Sequence, residues 1–442
     1  MTGPLPEIRK LTPDDDLEPE LDLARRAFGS FAAAEGASRL ASARDSVAGG
    51  RHFGAFAGGR QLGSAHFHDM TQWWHGRALP MAGVAGVKVA PEARGAGTGR
   101  ALMTALLAEI AARGYPLSAL YPSTMTIYRS LGYEVGGGRY QVSVPARSLR
   151  ALVPPDRSAA GLPDGVGLPD GTGLPDGAGL PDGATRVGSA GRAGGADLAG
   201  DLRRAGPDDV AEIGSVVARV HELARDRGPV AFEPAVSRRR LDDQDLFCYL
   251  AGDGFLSYGW SGGHSEVVVY CAVAGSAATA RALWSVVASH DSVAGTVRAF
   301  CGPADPVSWL TREPEVSVTR QHQWMLRVVD AKAAVAGRGF PAPAELAAVL
   351  RLEDELCPAN AGLWTLEVSR GRGALHRCET DPSGELPAAG PLALGARGFA
   401  ALYAGTPVAT LRLAGLAAGG DPSGDAALDG AFSGQSFMLD YF

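Results

Sequence analysis

A strand that runs directly into a glycine-rich turn and then a helix is the strongest constraint in this sequence. It reads Val87-Lys88-Val89-Ala90-Pro91-Glu92-Ala93-Arg94-Gly95-Ala96-Gly97-Thr98-Gly99-Arg100. Residues 101–113 follow with Leu102, Leu106, Leu107 and Ile110 on one face, the spacing of an amphipathic helix. Glycines at the mouth of a helix leave backbone N–H groups uncovered. Together with the positive end of the helix dipole, these groups suit a pyrophosphate. A phosphate loop of the NTPase type needs a lysine after its glycines, and none follows here. A dinucleotide fingerprint needs a third glycine where Arg100 stands. What remains is Arg-x-x-Gly-x-Gly, made by Arg94, Gly97 and Gly99. On the glycines alone, a turn that caps a helix and binds nothing is the competing reading.

Size and charge narrow the function classes. The 442 residues allow several domains, and 46% hydrophobic content can fill sizeable cores. A net charge of −7 without a long basic run argues against nucleic acid and is compatible with a cationic small molecule. The five cysteines, Cys248, Cys271, Cys301, Cys357 and Cys378, include no Cys-x-x-Cys pair. They read as buried thiols in a reducing compartment, so a cytoplasmic location is expected. No apolar signal core and no run of about twenty apolar residues is present, so no membrane association is expected. His66 and His68 alternate on an expected strand with no third ligand nearby, so they read as strand-face residues and no metal is expected.

The pattern divides the chain. Residues 1–145 form a first unit. It has a helix over Leu17–Phe28 and paired strands at His52–Phe56 and Leu62–Phe67, with Gly58-Gly59 as the turn. A strand over Gly83–Ala90 enters the glycine loop, and Tyr115–Tyr121 is the next strand. Residues 146–201 read as a flexible insertion, because Gly-Leu-Pro-Asp-Gly recurs four times with a single Leu per repeat to bury. Residues 202–330 form a second unit. Pro207-Asp208 starts a helix, strands follow at Phe247–Ala251, Leu256–Trp260 and Glu266–Val273, and Ala277–Ser289 is a helix. Residues 331–442 form a third, α+β unit. Ala344–Arg351 is expected as helix and Ala361–Val368 as strand, with helices at Phe399–Tyr403 and Ala426–Phe432.

The Arg94/Gly97/Gly99 loop resembles the acyl-CoA pyrophosphate loop of the GNAT superfamily of N-acetyltransferases. The order of strand, glycine turn, helix, strand and then "IYRSLGY" (Ile127–Tyr133) strengthens the likeness. The second unit resembles the same fold without the loop, since no Arg-x-x-Gly-x-Gly follows Val273. With "LYAGTPVATLRLAG" and the C-terminal phenylalanine after "LDGAFSG", the whole chain apart from the insertion resembles the enhanced-intracellular-survival (Eis) acetyltransferases. That resemblance implies an α/β and α+β multidomain architecture: two tandem GNAT-like domains, the second degenerate, and a sterol-carrier-protein-like C-terminal domain. It further implies acetyl-CoA as cosubstrate, a primary amine of an aminoglycoside or similar polyamine as acceptor, and a homohexamer. Val87, Val89, Arg94, Gly95, Gly97, Thr98 and Gly99 would hold the cofactor. Tyr128 would be the general acid, and the α-carboxylate of Phe442 would enter the first unit's site. A phenol with a pKa of about 10 can donate to a departing thiolate.

The acceptor is less constrained. Where aminoglycoside-acetylating members carry acids, this chain has Phe28-Gly29-Ser30-Phe31 and Tyr441, with Glu35 and Asp440 as nearby replacements. Trp73, Trp74 and His75 are candidates for a pocket wall, a lid or an interface. Acetylation of protein lysines or N-termini is an alternative, as is a non-catalytic carrier that uses the third unit.

Overall fold

The computed structural model describes residues 6–152, 202–311, 315–378 and 390–442. The first unit runs β1 (Glu7–Lys10), α1 (Glu18–Phe28), α2 (Ala33–Ala48), β2 (His52–Ala57), β3 (Arg60–Trp74), β4 (Arg77–Val89), α3 (Thr98–Ala112), β5 (Leu117–Leu120), α4 (Met125–Arg129) and β6 (Glu134–Pro145). The second runs β7 (Arg203–Ala205), α5 (Val210–Ala224), β8 (Arg227–Phe232), α6 (Pro234–Leu241), β9 (Phe247–Ala251), β10 (Gly254–Ser261), β11 (Glu266–Ala274), α7 (Ala277–Ala288), β12 (Thr296–Cys301), α8 (Val307–Leu310) and β13 (Ser317–Val328). The third runs α9 (Ala331–Gly337), β14 (Leu346–Glu353), β15 (Gly362–Ser369), β16 (Arg372–Arg377), β17 (Leu392–Gly395), α10 (Ala396–Tyr403), α11 (Val408–Leu413), β18 (Ala417–Gly419) and α12 (Pro422–Phe432).

The first two units share one 13-stranded sheet, in the order β1-β2-β3-β4-β5-β13-β6-β12-β11-β10-β9-β7, with β8 paired to β3. Strand β13 leaves the second unit and lies antiparallel between β5 and β6, while β6 reaches across to β12. Each unit thus completes the other's sheet. Residues 146–152 are not part of a loose insertion. They form a 3-10 turn whose Ala146, Leu149 and Leu152 are buried with Leu283 and Val287 of α7. The Gly-Leu-Pro-Asp-Gly repeats lie outside the described residues.

The two faces of the first unit's sheet differ. Phe53, Ala55, Ala65 and Phe67 pack beneath Leu102, Leu106 and Ile110 of α3. On the other face the Glu20 carboxylate of α1 accepts from Ser64 Oγ at 2.8 Å and meets Lys88 Nζ at 2.7 Å. Burial works to raise the Glu20 pKa, but Lys88 and His52 outweigh it and hold the carboxyl below its ordinary value.

The third unit has its own five-stranded sheet, in the order β16-β15-β14-β17-β18. Here residues 346–353 correct the sequence reading: the segment is a strand. Leu346, Leu350 and Leu352 are buried and Arg351 and Glu353 exposed. Leu346, Val349 and Leu350 also fit a helical repeat, so the local pattern satisfies both periods. Pairing to β15 on one side and β17 on the other decides for strand.

Candidate active site

Strands β4 and β5 run parallel and in register from Met81↔Leu117 to Val84↔Leu120. Beyond Val84 they part. β4 continues to Val89 along β3, with a register slip between Ser64 and His66 and a left-handed Gly86 (φ +60°). Val87 and Val89 are therefore half-buried on a strand edge that no strand among the described residues covers. An open edge of this kind presents backbone N–H groups to a ligand carbonyl.

The glycine turn follows at the end of that edge. Arg94 is exposed, and its Nε donates to Val89 O at 3.3 Å. Gly95 and Gly97 adopt φ of +78° and +86°, which favours glycine, and Gly97 is the N-cap of α3. No side chain caps α3, and its first turn holds no acidic residue. The first N–H groups of a 15-residue helix are thus free for an anion, in the form a pyrophosphate needs. Thr98 is buried. Gly99 serves packing: a Cβ there would come 3.1 Å from Ile127 Cδ1 of α4. Arg100, which breaks the dinucleotide pattern, donates to Ser130 O at 3.0 Å and so ties the loop to "IYRSLGY".

Tyr128 lies on α4, buried, with its ring 6.2 Å from that of Tyr133. Burial pushes its phenol up to about 12, and the charge of Tyr441 acts in the same direction. Tyr133 is a core residue that shares a 2.8 Å hydrogen bond with Ser118.

The chain end is held at the same opening. Met438 N donates to Gly138 O at 3.1 Å, Arg139 Nε to Leu439 O at 2.7 Å and Tyr121 Oη to Asp440 O at 2.7 Å. The Tyr441 ring lies tilted against Tyr121 with ring centroids 4.5 Å apart. The Phe442 ring lies 5.5 Å from Tyr121 and covers Gly83, where a Cβ would approach it to 3.0 Å. Tyr121 follows β5 and Gly83 lies on β4, so Phe442 stands where the two strands separate.

Other candidates fall elsewhere. Trp74 is buried against Tyr403, Trp73 rests on His221 at 5.2 Å, and His75 Nδ1 accepts from Arg227 Nη2 at 2.8 Å. All three join the units and line no acceptor wall. Glu35 pairs with Arg39, and Asp440 with Arg240. The sequence reading missed Phe232, whose strand β8 crosses from the second unit to pair with β3 at Met70. Nothing local to residues 227–232 announces that crossing.

In the second unit the corresponding helix start is closed. Ser276 caps α7 by accepting from Thr279 N at 3.2 Å, and Thr279 Oγ1 donates to the Asp253 carboxylate. A filled cap beside a carboxylate repels phosphate. The space between β11 and β12 persists as a cavity of about 500 Å³, lined by Leu283, Trp284, Asp305, Phe437 and Leu439 among others.

Comparison with known proteins shows the family and the domain order. Acetyltransferase (GNAT) domain profiles match residues 7–136 and 224–328, and a sterol carrier protein domain profile matches residues 331–439. A GCN5-related N-acetyltransferase from Kribbella flavida is 39% identical, with a TM-score of 0.84, over 100% of this chain and 99% of that one. The chain belongs to the GCN5-related N-acetyltransferases. An uncharacterized N-acetyltransferase of Streptomyces avermitilis is 27% identical over 384 residues, 81% of this chain and 82% of that protein. Eis1 of Mycobacterium abscessus, at 22% identity, shares the fold with a TM-score of 0.71, covering 99% of this chain and 100% of its own. The protein is thus a GNAT acetyltransferase with two GNAT domains and a sterol-carrier-like third domain.

Proposed function

We propose that this acetyltransferase moves acetyl from acetyl-CoA to a primary amine of a small molecule, using the first GNAT domain alone. The observation that carries the reading is the uncapped N-terminus of α3 beside the open β4 edge, with the buried Tyr128 close enough to Tyr441 at the chain end to feel its charge. Arg94, Gly95, Gly97, Thr98 and Gly99 would hold the pyrophosphate, and N–H groups at Val87 or Val89 the thioester oxygen. The acceptor must attack as a neutral amine. The Phe442 carboxylate would take its proton, directly or through water. The C–N bond forms, the C–S bond breaks, and Tyr128 returns a proton to the thiolate.

Aminoglycosides and polyamines belong to this acceptor class, as do lysine side chains. A homohexamer and a cytoplasmic location complete the proposal, and all five cysteines are free as a reducing compartment would leave them. Calorimetry with acetyl-CoA should give one site per chain, because of the two corresponding GNAT helices α3 is uncapped and α7 is capped by Ser276. Thiol release should follow on adding amines. Two sites per chain, or binding without release for any amine, would reject the proposal. Light scattering checks the assembly.

A further inference from the structure

The face of β3 opposite α3 meets the chain end. Ala65 and Phe67 of β3 point beneath α3, so Ser64, His66, His68 and Met70 point the other way. Met70 and the Phe442 ring both meet the space over Gly83. From there aromatic rings continue, with Phe442 6.5 Å from Phe232 and Phe232 6.1 Å from His68. This wall is half-buried and largely aromatic, and Phe442 brings its α-carboxylate to it.

The charges around it come as pairs. Arg51 pairs with Glu233, Arg239 with Asp45, and Arg240 with Asp440 at 2.8 Å. The Arg240 guanidinium also lies 4.5 Å from the Phe232 ring centroid. His68 is held down at about 4, first by burial and then by Arg51, Arg239 and Arg240, with Asp45 alone opposing. A polycation needs several unpaired acids to bind, and the side-chain carboxylates of Glu233, Asp45 and Asp440 are already paired, which leaves the Phe442 carboxylate for one amine. A single amine on a ring behaves differently. Its ring gains from the aromatic wall, and its one ammonium meets the one Phe442 carboxylate, which takes the proton and leaves the neutral amine that attacks the thioester.

We propose that the acceptor is a monoamine carried on an aromatic or apolar body, seated against Phe442, Phe232 and His68, and not a polycationic sugar. This rests on the transferase reading above, and the test separates the two. The full-length protein is given acetyl-CoA with either 2-phenylethylamine or kanamycin, at low and high salt. The expected kcat/KM for 2-phenylethylamine exceeds that for kanamycin by about tenfold or more, as expected where one partner's charges find no match. Phe232→Ala should raise KM for 2-phenylethylamine while kcat changes by about twofold at most. Arg239→Glu should move the ratio about tenfold toward kanamycin, and high salt should reverse that shift. Equal or better use of kanamycin by the unmodified protein overturns the inference, as does bound acetyl-CoA with no turnover of 2-phenylethylamine. Failure to bind acetyl-CoA at all removes the transferase reading itself, and the inference with it.

Discussion

At the scale of single residues, Tyr128 shows how burial shapes a proton donor. With its phenol raised to about 12, it stays protonated throughout the neutral and mildly alkaline range. Tyr128→Phe should lower kcat by about 10²-fold, in keeping with loss of one general acid, while acetyl-CoA affinity stays within about twofold. Equal losses in both would assign Tyr128 a binding role. The same value implies that Tyr128 contributes no alkaline limb to kcat below about pH 10. A limb at lower pH that Tyr128→Phe abolishes would contradict it. The histidines set the acid side of stability. His66 and His68 are both held below the ordinary imidazole value by burial, His68 at about 4. Between pH 6.5 and 4 the unfolded chain therefore binds more protons than the folded one, and stability falls as pH drops through that window. Asp305, raised to about 6 by burial, acts in the opposite sense, but as one group against five, since His75, His290 and His322 are held down as well. Melting temperature should fall from pH 7 to pH 5, and His68→Gln should flatten that slope. The identity of Tyr128 was legible because it stands at a fixed place in a motif. The positive field at His68 was not, because Arg51, Arg239 and Arg240 come from distant parts of the chain.

At the scale of elements, the loop-helix unit was readable because its constraints are local. A left-handed Gly97, the Leu102/Leu106/Ile110 stripe of α3 and the Gly58-Gly59 hairpin each declare themselves within a few residues. Residues 346–353 were misread because their spacing fits two periods and only sheet neighbours choose between them. The exchange of β13 into the first unit is of the same kind, since its partners at 117–120 and 134–143 lie far back in the sequence. The open β4 edge also depends on a remote contact, the buried pair between Lys88 and Glu20 of α1. Both side chains are less than 9% exposed, so Glu20→Gln leaves a buried ammonium without its counter-ion. The cost should be about 3–5 kcal/mol of stability. Because Lys88 lies between Val87 and Val89, kcat should fall together with the melting temperature. Replacing the pair with Glu20→Met and Lys88→Met should restore the melting temperature more fully than either single change.

At the scale of the whole molecule, the chain end is the point where all three units meet. Phe437 N donates to Arg227 O at 2.9 Å, Ser436 Oγ to Ala404 O at 2.8 Å, and Arg139 and Tyr121 hold the carbonyls of Leu439 and Asp440. Phe437 and Leu439 also wall the cavity of the second unit, so a segment of six residues connects that closed domain to the opening beside Tyr128. Composition and periodicity carry no sign of this path. Only the aromatic character of Phe437 to Phe442 hinted that the terminus is packed. The anchors determine what an extension would do. They all precede Tyr441, so added residues leave them intact and change one group, converting the Phe442 carboxylate to a neutral amide. A short Gly-Ser extension should therefore keep the melting temperature and acetyl-CoA affinity while lowering kcat by about 10²-fold, the range of a lost general base. A drop in melting temperature would show that the extension disturbs the anchors instead. Full turnover in the extended protein would remove the carboxylate from the reaction and leave the Phe442 ring as a wall for the acceptor.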